Sequence, residues 1–331
     1  MERESSSGAR WADDVRMRLT RRIGGTIAIA MLTGSTAVAL GTQASAAPVP
    51  GTSCDVFPVD NIWNTRVDSL PVNPMSDRWL RSAGAAATNL HPDFGPPSYG
   101  IPFNIVGRAH ATVSVNFLYA DESDQGPYPF DARTPIEGGT DRHALTVQKG
   151  TCTLYELYDA RWNGGNPKAG SGAVFDLGSN ALRTDSWTSA DAAGLPILPG
   201  LVRWDEVAAG KIAHAIRFTV GCTKDEHIWP ARHDAGVNDP DCPPMGARFR
   251  LKSDFDLTTF SHATRVILRA MQRYGMFVAD NGSNWFFQGT VDDHWKNALL
   301  DELKSVPASA FEAVDESACM VKANSAKAVC P

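Results

Sequence analysis

The stretch HALTVQKGTCTLYELY, residues 143–158, decides the fold. Two runs rich in β-branched and aromatic residues flank Lys149-Gly150, the pattern of a β-hairpin closed by a glycine turn. Upstream, Val113, Val115, Phe117 and Tyr119 alternate along Ala111 to Tyr119 and share one face, as in a half-buried strand. Downstream, Gly172 to Leu177, His214 to Val220, Ala247 to Leu251, Met276 to Ala279 and Trp285 to Gln288 have the length and composition of further strands. Helical periodicity is sparse. Ser261 to Tyr274 places Val266, Ile267, Ala270, Met271 and Tyr274 on one face, and Gly275 supplies the stop. Asp292 to Lys304 reads as a second helix, with short ones at Ser76 to Arg81 and Asp205 to Ala209. The expected class is mainly β, a β-sandwich or related antiparallel core, with a few helices packed at the C-terminal side. An α+β arrangement is the alternative.

The N-terminus reads as an export signal. Arg16, Arg18, Arg21 and Arg22 form a basic segment, Ile23 to Gly41 is uncharged and apolar, and Ala44-Ser45-Ala46 is the small-x-small pattern that signal peptidases cut. Residues 1–46 are therefore expected to be a signal peptide, and residues 47–331 a single secreted domain beginning at Ala47. Thr20-Arg21-Arg22 resembles a twin-arginine signal, but Gly24 and Gly25 stand where a bulky apolar residue is wanted. Met17 is an alternative start.

The chain carries a net charge of −6. The leader holds more arginine than carboxylate, so the remainder is more acidic still. That argues against nucleic acid and anionic membrane surfaces as partners. No stretch after the leader is apolar and long enough to span a bilayer. All six cysteines follow the leader. An even number in an exported chain reads as disulfides, and proximity suggests Cys222–Cys242 and Cys319–Cys330, which leaves Cys54–Cys152. A cysteine nucleophile or zinc–thiolate site is then not expected.

Signatures of serine hydrolases, phosphate-binding loops, zincins and dinucleotide folds are absent. Four clusters remain. Glu137-Gly138-Gly139-Thr140-Asp141-Arg142-His143 packs two carboxylates and an imidazole onto a flexible loop, a candidate acid–base pair for glycoside chemistry. Asp191 follows Trp187 in a setting of small residues, where an indole face can stack on a sugar and a carboxylate can accept its hydroxyls. On the strand from His214, alternation sends His214 inward, as a core histidine, and leaves Arg217 to line a groove. His227, Trp229, Arg232 and His233 lie inside the Cys222–Cys242 loop. Their spacing is not a recognised metal-ligand pattern, so no metal is expected. Asp280-Asn281-Gly282-Ser283-Asn284 lacks the spaced acidic ligands of a calcium loop and reads as a hairpin turn.

The segments His91 to Gly95, Gly126 to Pro129, Glu137 to His143, Trp187 to Arg203, Trp229 to His233 and Tyr274 to Gly282 together resemble a group of secreted bacterial proteins, some of which are joined to carbohydrate-binding modules. The long Trp187–Arg203 string is the specific part. The resemblance implies a glycan context and carries no catalytic roles.

The resulting expectation is a secreted glycan-active enzyme without a cofactor, with a polysaccharide or oligosaccharide as its partner. A hydrolase would draw two carboxylates from Glu137, Asp141 and Asp191. A polysaccharide lyase would instead use Arg217 or Arg232 to neutralise a uronate and His143 or His233 to take the proton. A non-catalytic polysaccharide- or cell-wall-binding protein would need the aromatic residues Trp187 and Trp229 without a converging acid pair.

Overall fold

The computed structural model describes residues 47–95 and 99–331; the expected signal peptide lies outside the described residues. In chain order the elements are α1 (Ser76–Ser82), β1 (His91–Pro92), β2 (Phe103–Val106), β3 (Asn116–Phe117), β4 (Ala144–Gln148), β5 (Thr153–Tyr158), β6 (Lys168–Ala169), β7 (Ser171–Asp176), α2 (Trp204–Ala208), β8 (Ile216–Val220), β9 (Arg248–Leu251), α3 (His262–Arg273), β10 (Met276–Asn281), β11 (Phe286–Phe287), α4 (Asn297–Lys304) and β12 (Phe311–Ala313). The chain is β-rich with few helices, as its patterning requires.

The hairpin β4–β5 forms with the expected antiparallel register, and Gly150 turns it with a φ of +90° that other residues resist. It is the centre of a four-stranded sheet ordered β2-β4-β5-β7. A six-stranded sheet runs β1-β11-β8-β10-β9-β12, and β3 pairs with β6 apart from both. The strand directions are mixed: β2 runs parallel to β4, β8 to β10 and β1 to β11. Alternation along one strand reports which face is buried and says nothing of the neighbour's direction, so the antiparallel element of the expectation was not in the pattern itself.

Helix α3 starts at Ser261, whose hydroxyl accepts from the Thr264 N–H, and buries Val266, Ile267, Ala270 and Met271. Gly275 ends it with a φ of +65°. Phe218, Phe249, Phe277, Trp285 and Phe311 are among the aromatic residues of the main core. A smaller core gathers Val115, Tyr128, Phe130, Leu157 and Ala169. Only Asn116 and Phe117 of the Ala111–Tyr119 run form a ladder strand, because β6 offers just two partners.

All three expected disulfides are present: Cys54–Cys152, Cys222–Cys242 and Cys319–Cys330. Among the described residues no cysteine is free and no helix is long and apolar enough to cross a membrane.

Candidate functional site

The two larger sheets are joined by a strap, the segment from Trp187 to Arg203. From Ala193 to Arg203 it is buried throughout. Three side chains pin it. From β5, the fully buried Glu156 accepts hydrogen bonds from the Ile197 N–H at 2.9 and 3.0 Å and from the Leu198 N–H at 2.9 Å. From the end of the 137–143 loop, His143 Nε2 meets the Ala190 carbonyl at 3.1 Å. From β8, Arg217 Nε and Nη2 donate to the two oxygens of Asp191 at 2.7 and 2.5 Å. The third nitrogen of Arg217 donates to Gln288, which in turn donates to Asp93 at 3.4 Å. Close packing explains the strap's small residues: a Cβ at Gly200 would come within 2.9 Å of the Arg217 Cβ, and one at Gly194 within 2.6 Å of the Trp187 carbonyl.

Above these pins lies an open cleft of about 410 Å³ lined by Tyr119, Glu122, Asp141, Tyr158, Ser171, residues 188–192 of the strap, His233, Asp280 and Asn281. Asp280 forms its wall from the end of β10. There the parallel register with β8 slips after Val278, so that Asp280 and not Ala279 pairs with Thr219. A bulge of this kind re-aims a side chain. The bulged Ala279 carbonyl accepts from the Ala193 N–H of the strap at 2.9 Å, which holds the bulge in place. The half-buried Asp280 carboxyl keeps a side open to the cleft. Its pKa is pushed up to about 8, first by desolvation and then by the neighbouring Asp191 carboxylate, against the pull of Arg217 and His143. Asp280 is thus biased toward its protonated form, in a cleft that also holds Glu122 and Asp141.

The opposite lip is ordered by Arg183. Its guanidinium donates to the Thr188 carbonyl at 2.8 Å and to the Glu122 carbonyl at 3.0 Å, and pairs with Asp124. Glu122 accepts from the Thr188 N–H at 3.3 Å and faces His233 Nε2 at 3.4 Å, while His233 Nδ1 contacts the Ala192 carbonyl at 2.7 Å.

Of the residues expected from sequence, Asp141, Asp191 and His233 line the cleft. The others are placed differently. Glu137 holds His143 through a 2.7 Å contact with Nδ1, and both lie beneath the cleft. Burial acts on each, but their mutual bond lowers the Glu137 pKa and raises that of His143. Asp191 has no exposed carboxylate, because Arg217 takes both of its oxygens. Arg217 does not line a groove: its strand is covered on both faces, and its side chain is 3% exposed. Arg232 is buried against the carbonyls of Arg183 and Ala323 at 3.0 and 3.1 Å. The half-buried Trp229 donates its indole N–H to the Ser325 carbonyl at 2.9 Å. Trp187 lies outside the cleft, in a neighbouring groove, with the Arg183 guanidinium 5.8 Å over its ring. His214 is a core histidine, as its alternation indicated.

Asp280 opens the segment whose composition reads as a hairpin turn, and nothing in that pattern marks it as a site residue. The segment after it is not a hairpin: it passes β8 so that β11 pairs on the far side of that strand. The one available signal was a carboxylate closing an otherwise apolar strand.

Comparison with protein-family models, with curated proteins and with solved structures finds no match to this chain. The arrangement offers in Asp280 a carboxyl whose surroundings favour its protonated form, further carboxyl groups in Asp141 and Glu122, an imidazole in His233 and two phenol-bearing walls in Tyr119 and Tyr158. No lysine or arginine is among the lining residues. Among the described residues the only cluster with metal-ligand spacing is Cys222, Asp239 and Cys242, and its two thiols are spent in a disulfide.

Proposed function

We propose that this chain is an exported glycan-active enzyme, a hydrolase of neutral polysaccharide or oligosaccharide, with Asp280 as its general acid. The observation that carries this reading is the placement of Asp280, which lines the cleft beside Asp191 in surroundings that favour its protonated form. Glycoside cleavage needs one carboxyl to protonate the leaving oxygen and a second, ionised one across the scissile bond. Asp141 and Glu122 are the cleft carboxylates available for the second role, as base or nucleophile. Tyr119 and Tyr158 supply ring faces and hydroxyls of the kind sugars pack against.

A lyase acting on uronates fits less well. Arg217 and Arg232, the cations that would neutralise a substrate carboxylate, are buried and fully engaged, and a carboxylate-lined cleft repels an anionic chain. The three disulfides accord with an oxidising compartment, and export itself rests on the leader sequence.

The test is to incubate purified protein with a panel of neutral and acidic polysaccharides, measuring new reducing ends and unsaturated-product absorbance. Reducing ends from a neutral glycan, lost in Asp280→Asn, support the reading. Unsaturated product would replace it with a lyase, and binding without turnover with a non-catalytic glycan-binding protein.

A further inference from the structure

Far from the cleft, a buried ionic cluster meets the start of the described chain. Glu206 and His214 are fully buried, and Arg203 is 1% exposed. His214 Nε2 contacts Glu206 Oε2 at 2.9 Å, and its Nδ1 contacts the Ala215 carbonyl at 2.7 Å. Arg203 Nη2 lies 3.2 Å from Glu206 Oε1 and donates to the Ala47 carbonyl at 2.9 Å, while its Nε reaches Asp205 at 3.3 Å. Yet two buried atoms lack a hydrogen-bond partner, Glu206 Oε1 and Arg203 Nη1. The Ala47 N–H is the backbone group that lies against the Glu206 carboxylate.

Buried polar atoms without partners are rare, since each carries its full desolvation cost. Here Arg203 faces two carboxylates, Glu206 and the half-exposed Asp205, and His214 sets one ring nitrogen against Glu206 and the other against the Ala215 carbonyl, which leaves Glu206 Oε1 without a hydrogen bond. The amide N–H of Ala47 has a single hydrogen fixed in the peptide plane. An ammonium at the same nitrogen has three hydrogens that rotate to suit their acceptors, and one full charge.

Ala47 is also the residue that cleavage after Ala44-Ser45-Ala46 exposes. We propose that removal of the leader converts the Ala47 nitrogen into an α-ammonium that completes this buried ion site, so that processing itself locks the N-terminus into the fold. The inference rests on the export reading for its cleavage point. Before cleavage the nitrogen is a neutral amide and Glu206 Oε1 stays unsatisfied. After cleavage the ammonium donates to Glu206 Oε1, and Arg203 keeps the Ala47 carbonyl. The adjoining Val49, fully buried, anchors the next turn of chain in the core.

The experiment compares three purified forms: one beginning at Ala47, one retaining Ala44-Ser45-Ala46, and the Ala47 form acetylated on its α-amine before folding. In the Ala47 form, the α-amine should react with an amine-directed acylating reagent at least tenfold more slowly than the same amine in the unfolded chain. Its Tm should exceed those of both other forms by several degrees. That margin should be full at pH 6–7, below the ordinary α-amine pKa of about 8, and should shrink as pH rises through the elevated pKa of the buried ammonium. Glu206→Gln should remove the margin; should that variant not fold, labelling rate and the Tm differences among the three forms remain decisive. An α-amine that labels freely, with equal Tm in all three forms, overturns the ion site. Intact mass of exported protein separately reports the cleavage point: a different N-terminus would overturn the export reading's cut site and leave the three-form comparison to judge the ion site alone.

Discussion

Arg217 on β8 holds Asp191 of the strap through two hydrogen bonds, 2.7 and 2.5 Å long, with neither side chain more than 3% exposed. This pair sets the surroundings of Asp280. Its negative end raises the Asp280 pKa and its positive end tempers that rise. It also fixes the strap to β8, an interior strand of the six-stranded sheet, while Glu156 fixes it to the four-stranded one.

Asp191→Asn should cost about 3–5 kcal/mol, because it leaves the Arg217 charge buried without its partner. Replacing both, Asp191→Leu with Arg217→Met, should cost less than the sum of the single changes, since no uncompensated charge remains. Urea unfolding of the parent, Asp191→Leu, Arg217→Met and the double variant measures the coupling, with Asp191→Asn as a fifth protein for the single cost; strict additivity would mean the pair is not coupled.

Asp280→Asn keeps shape and removes the transferable proton. Turnover on the substrate found by the panel should fall at least about a hundredfold. The variant should be as stable as the parent near pH 4, around the ordinary aspartate pKa, and increasingly more stable from there to pH 8, because over that range the unfolded parent ionises freely and the folded one resists it. Near-parental turnover would remove Asp280 from the mechanism.

Stability should fall from pH 5 to pH 8. Asp280 is raised to about 8, and Glu156 and Glu316 to about 7, all chiefly by desolvation, and His143 is raised by Glu137. Groups whose folded pKa is raised stabilise below their unfolded values and lose that contribution as pH climbs through the folded ones. Glu137 and Glu206 are lowered and act oppositely, losing their contribution as pH drops below about 4.5. Denaturation midpoints at pH 5, 6.5 and 8 should therefore decline in that order.

Glu137→Gln should act on stability and little on chemistry. It weakens the 2.7 Å bond to His143 beneath the cleft, at a cost of about 1–3 kcal/mol. Turnover per folded molecule should change by less than tenfold. A hundredfold loss with unchanged Tm would return Glu137 to the catalytic set.

Thiol titration of unreduced, denatured protein should find no free thiol. Replacing Cys54 and Cys152 with serine opens the crosslink with the longest span, a sequence separation of 98, and should cost about 2–4 kcal/mol. Two or more titratable thiols would contradict full pairing.

Local patterning in the sequence was enough for the hairpin around Lys149-Gly150, for α3 with its Ser261 start and Gly275 stop, for the inward His214 and for the β-rich class. The cysteine spacing and count were enough for the three pairings. Each of these is settled by residues near one another in the chain, or by a count. The cleft was not legible in this way. Glu137, Asp141 and His143 are crowded in sequence, which made them a plausible centre, but strand β4 carries His143 inward and leaves Asp141 outside. Asp191 and Arg217 are 26 positions apart and Asp280 lies beyond both; a parallel pairing of β8 with β10 and a one-residue slip at Ala279 bring them together. Whether a carboxylate holds its proton depends on how much water and which charges surround it. Residue type and spacing do not fix that, and only the packing of two sheets around the Trp187–Arg203 strap decides it.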